Sequence, residues 1–134
     1  MRRVTHTLAA VAFVITAGIN PALSSGPTPT ELAEAFATCA GRLEALATRQ
    51  RAVRDPRSDA TRRMQTDFEN LLDATLPDTQ HGTVQARRWQ TYGWIEIASL
   101  LRHEQYGTDA SRVARARAEM VRRIDTCERM ILPS

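Results

Sequence analysis

Ala35-Phe36-Ala37-Thr38-Cys39-Ala40-Gly41-Arg42-Leu43 places a cysteine in the apolar seam of a helix. The apolar positions around it, Leu32, Phe36, Cys39, Leu43, Leu46 and Val53, step by four, three, four, three and then seven, and the polar Gln50 fills the skipped place. That spacing marks one helix face turned toward neighbours. The chain has one other cysteine, Cys127, and it recurs in a matching seam of Val113, Ala116, Met120, Ile124, Cys127 and Ile131.

Two further helices fit between these seams. Pro27-Thr28-Pro29-Thr30 reads as a rigid, non-helical lead, with Thr30 as the N-cap of helix 1 and Glu31 and Glu34 in its first turn. Asp55-Pro56-Arg57-Ser58 breaks the pattern, because Pro56 disfavours helix at the residue before it and Ser58 is suited to cap the next helix. Helix 2 is expected over about 59–75, burying Met64, Phe68, Leu71 and Leu72.

After a loop at 76–82, helix 3 is expected over about 83–105. Its apolar residues Trp89, Tyr92, Trp94, Ile95, Ile97, Ala98, Leu100 and Leu101 cover more than one stripe, so it is either the most buried helix or one with a second face for a partner. Gly107 stops it, and Thr108 or Asp109 caps helix 4, which runs to about Leu132. No segment reads as a strand.

Short loops between four helices predict an all-α, antiparallel up-down-up-down bundle. In that topology Cys39 lies roughly 13 Å from the start of helix 1 and Cys127 roughly 8 Å from the end of helix 4. The two are level, so a Cys39–Cys127 disulfide is expected to join helices 1 and 4. The chain-entropy model gives such a long loop a stabilisation of about 4 kcal/mol.

The N-terminus supplies the compartment. Met1-Arg2-Arg3 precedes a short apolar run from Leu8 to Ile19, and small residues Ala22 and Ser24 come after it, which reads as a signal peptide over 1–24 cleaved after Ser24. About a dozen apolar residues span roughly 18 Å, too little for the ~30 Å hydrocarbon core. Residues 25–134 then form a single helical-bundle domain. Every one of the 18 basic residues is arginine, a bias that points to a GC-rich bacterial genome. An exported, periplasmic protein is the expectation, and an oxidising compartment favours the disulfide. Removing Arg2 and Arg3 takes two charges off the formal +3, so global charge names no partner.

No chemistry-bearing motif stands out. The C-x-x-C-H of covalent haem is missing around Cys39, and beyond the signal peptide the histidines are His81 and His103, with His103-Glu104 the nearest raw material for a metal. No cofactor or metal is expected. Glu96, Ser99 and His103 share one side of helix 3, a grouping that chance often gives, and no G-x-S-x-G or phosphate loop accompanies it. The expectation is a non-enzymatic interaction protein or accessory subunit, with a small-ligand or cofactor-binding bundle as the alternative.

Two surfaces are candidates for docking. Trp89 and Trp94 stand about 140° apart around helix 3, so both cannot enter one seam. Trp and Arg are enriched at interfaces, and Arg87 and Arg88 lie beside them. Gly93, between them, is suited to a close helix approach. The second candidate is the pole where helix 1 ends and helix 4 begins, rich in arginines that include Arg51, Arg54 and Arg57. The opposite pole carries Glu31, Glu34, Asp73, Asp78, Asp125 and Glu128. Such a basic pole suits an anionic protein patch or a membrane surface; nucleic acid is not an expected partner.

Overall fold

The computed structural model describes residues 26–76 and 80–131. Residues 1–24, expected to be a signal peptide, and the cleavage site expected after Ser24 lie outside the described residues. Four helices fill the rest: α1 (Pro29–Ala52), α2 (Ser58–Thr75), α3 (Gln80–Tyr106) and α4 (Ala110–Ile131), with no strand among the described residues.

The helix starts refine the sequence reading. Thr28, not Thr30, caps α1: its hydroxyl accepts from the Glu31 backbone N–H while the Glu31 carboxylate accepts from the Thr28 N–H, a reciprocal capping box. Pro29 takes the first helical position, where a missing N–H costs nothing. Ser58 makes no cap, since α2 starts behind Arg57 without a side-chain cap bond. Asp109 caps α4 through Oδ1, which accepts from the N–H groups of Ser111 and Arg112.

Contacts between helices alternate in direction. Phe36 of α1 meets Phe68 of α2 with ring centroids 6.1 Å apart, and Ala33 and Ala37 cluster with Leu72 further along α2. Early α1 meets early α3 through Ala33, Ala37 and Ala86. Glu96 of α3 pairs with Arg123 of α4, whereas the later Glu104 pairs with the earlier Arg117. Neighbours in sequence thus run opposite ways, and α1 and α3 run the same way.

The parallel pair is drawn together at two glycines. A Cβ added to Gly41 would stand 1.9 Å from the Gln90 carbonyl oxygen, and one on Gly93 would stand 2.1 Å from that of Thr38. Backbone meets backbone there, and any side chain would force the helices apart. Small residues continue this on α1, where Ala33, Ala37, Ala40, Ala45 and Ala47 are buried together with Cys39, Leu43 and Gln50. These positions occupy about two thirds of the helix circumference. Helix α1, not α3, is therefore the one enclosed by its neighbours.

The main core gathers Cys39, Leu43, Phe68, Ile97, Ile124 and Cys127, drawn from all four helices. Full burial of a side chain such as Leu43 or Phe68 contributes about 1.5–3 kcal/mol. The disulfide between Cys39 and Cys127 lies inside this core, with Cα atoms 5.6 Å apart, within the usual range for the bond. It joins α1 to α4, a pair whose backbones otherwise approach each other over a short stretch. Among the described residues there is no close backbone approach between α2 and either α3 or α4.

Candidate functional site

The two tryptophans of α3 have different surroundings. Trp89 is half-buried and packs on the cluster of Ala33, Ala37, Leu72 and Ala86. Trp94 is 40 % exposed. Beside it the outward side of α3 presents Val84, Tyr92 and Ile95, all exposed, with Arg87 and Arg88 on the same surface. Val84, Arg88, Thr91, Tyr92 and Ile95 recur at helical spacing, so they form one ridge, exposed among the described residues. The breadth of apolar residues on α3 thus reflects two faces, one in the core at Ile97 and one in solvent.

The arginine pole is set by how α1 ends. Arg54 has φ 56°, in the left-handed region, and the bonds Arg54 N–H to Arg51 C=O and Asp55 N–H to Gln50 C=O close a Schellman motif around it. Glycine is the usual residue there. Asp55 then accepts from the backbone N–H of Arg57 and holds its guanidinium in a fork, with Nη2 to Oδ2 at 2.7 Å. The side-chain bond from Arg57 is the largest cause of an Asp55 pKa lowered to about 2. The charge of Arg57 is thus matched locally. Arg51, Arg54, Arg62 and Arg63 are exposed and make no ion pair among the described residues.

Glu96, Ser99 and His103 do not form a catalytic set. The Glu96 carboxylate is taken by Arg42 of α1, at 2.8 Å, and by Arg123 of α4. Burial alone would raise its pKa, but the hydrogen bonds from both arginines prevail and the pKa is lowered. The His103 ring meets the Ser99 backbone carbonyl, not its hydroxyl. Glu96 is a clamp joining α1, α3 and α4, a role the sequence reading missed because its partners are 54 and 27 residues away.

Where α2 and α4 fail to meet, a cavity of about 660 Å³ opens, with residues of all four helices in its walls. Leu43, Leu46, Met64, Leu101, Met120 and Ile124 give it an apolar lining. Gln50 also lines it; the residue is 6 % exposed, and its side-chain Oε1 has no hydrogen-bond partner. Among the described residues no three or more His, Cys, Asp or Glu come together to hold a metal ion, and no helix is long and apolar enough to cross a membrane. In comparisons with known protein families, curated proteins and solved structures, nothing matches this chain.

Proposed function

We propose that this chain is an exported helical interaction protein, an accessory subunit without chemistry of its own, that docks a partner through the outward face of α3. The observation that carries this reading is the ridge of Val84, Tyr92 and Ile95, exposed by 49 %, 61 % and 55 % and accompanied by Arg87 and Arg88. Apolar side chains of that size in one patch are what a partner's surface would cover, and aromatic and arginine residues are the types that anchor such contacts. The complement is a protein face with an apolar centre and acidic neighbours. Export rests on the leader-like residues 1–24, and a disulfide in the core fits an oxidising compartment such as the bacterial periplasm.

The test is a photo-crosslinking residue placed at Ile95 in the organism's own cells, with Asp67 on α2 as the control position. A product of defined mass from position 95 and none from 67 supports the reading; no product, or equal labelling at both, overturns it. Ile95→Asp should abolish co-purification while leaving the melting temperature within a few degrees, since Ile95 lies outside the core.

The exposed charges of Arg51, Arg54, Arg62 and Arg63 favour a second reading, in which this pole meets an anionic surface. Retention on vesicles of anionic lipid that falls with salt, and falls further in Arg51→Gln with Arg54→Gln, would support it.

A further inference from the structure

We infer that the cavity between α2 and α4 is a binding site for a neutral or cationic amphiphile, a molecule with an apolar chain and a hydroxyl or ammonium head. This site is independent of the α3 ridge. Its volume of about 660 Å³ falls within the usual span of small-molecule sites, which combine a mostly apolar wall with a few placed polar groups. Leu43, Leu46, Leu101 and Ile124 supply the wall, and Met64 and Met120 face each other's helices with side chains that adapt to an occupant's shape.

The polar group is Gln50. Its Oε1 is buried and unbonded, and an acceptor left so is destabilising until a donor reaches it. A hydroxyl or ammonium supplies that donor. The charges in the lining favour the same choice. Arg57 is matched by Asp55 and Arg117 by Glu104, at 2.7 and 2.8 Å. What remains is Arg49 against Asp125 and Glu128, a surplus of negative charge. An anionic head is disfavoured by that surplus. Among the described residues α2 and α4 make no close backbone approach, so the space between them is bounded by side chains.

Three probes that differ only in the head decide the matter: 1-decanol, decylammonium and decanoate, titrated by calorimetry into the disulfide-bonded chain. Decanol and decylammonium should saturate one site per chain, with decanoate weaker by about tenfold or more. Amide NMR shifts should gather at Leu46, Gln50, Met64 and Met120 and spare Val84, Tyr92 and Ile95. Gln50→Leu should raise the melting temperature of the ligand-free protein and weaken decanol about 3- to 10-fold, the range of one net hydrogen bond. Absence of saturable binding by all three, equal binding by decanoate, shifts confined to the α3 ridge, or a decanol affinity indifferent to Gln50→Leu would each overturn the assignment. The NMR map needs no variant, so it stands if Gln50→Leu fails to fold.

Discussion

Between α1 and α3 the backbones touch; between α2 and α4 there is a cavity. In a square up-down-up-down bundle both pairs are diagonals and should be alike. Here Gly41 and Gly93 shorten one diagonal, and the other stays open. Side-chain size decides the difference: glycines and alanines line the first crossing, whereas Met64, Met120 and Ile124 line the second. Tight packing in this fold therefore comes from its smallest residues, and its open volume lies among large ones.

The largest expected effect comes from the bond that ties α4 to α1. Reduction of Cys39–Cys127, with its separation of 88 residues, should cost about 4–5 kcal/mol in the chain-entropy model. Urea denaturation with and without reductant measures it. Hydrogen exchange should show α4 amides losing protection while those near Gly41 and Gly93 keep theirs; equal loss everywhere would mean that the two sides stand or fall together.

Next comes the closed side itself. Gly41→Ala should cost about 2–3 kcal/mol, because overpacking at a backbone contact outweighs the ~1 kcal/mol that alanine gains in helix propensity. Gly26→Ala, with nothing within 4 Å, is the control and should fall within about 0.5 kcal/mol. A stabilised Gly41→Ala would show that the crossing is looser than a backbone contact.

The Glu96 clamp spans the two sides. Glu96→Gln should cost about 2 kcal/mol, the scale of hydrogen bonds to a charged group. Its pKa is lowered from the ordinary 4.5, so its stabilisation is fully present above that value and is lost as the pH falls from there through the folded-state pKa. A pH series of melting temperatures should therefore fall less steeply below about pH 4.5 in Glu96→Gln than in the parent chain.

The smallest effect lies where α1 ends. Arg54→Gly should stabilise by about 0.5 kcal/mol, since relief of the left-handed backbone exceeds the entropy that glycine loses. Thermal denaturation would detect it, and a lowered melting temperature would mean that the Arg54 side chain contributes more than its backbone strain removes.

Much of the fold is legible in the sequence because it is written in spacing. Steps of three and four place Cys39 and Cys127 on core faces, and their matched heights predict the pairing. Gly93 stands out among large residues as a site for close approach. Gly41, its counterpart, gives no such signal, because a glycine among alanines looks like one more small residue. The same blindness makes α3 a contender for the most enclosed helix: large apolar side chains announce themselves, whereas alanines that pack on all sides do not. Thr28 escapes notice as a cap since Pro29 reads as a break, although proline is at home in a first turn. Of the cavity, the sequence carries a single trace, Gln50 in an apolar seam. The rest depends on a distance between α2 and α4 that no local pattern specifies.

The position of the disulfide also governs how the chain is completed. Synthesis runs from the N-terminus, so Cys39 exists for 88 residues before its partner does. With no third cysteine to capture it, no wrong bond can form within one chain. An oxidant is therefore sufficient to finish the molecule, and there is no scrambled isomer for a disulfide isomerase to correct. The hazard that remains is encounter with a second unfinished copy, which makes yield fall as the concentration of newly made chains rises.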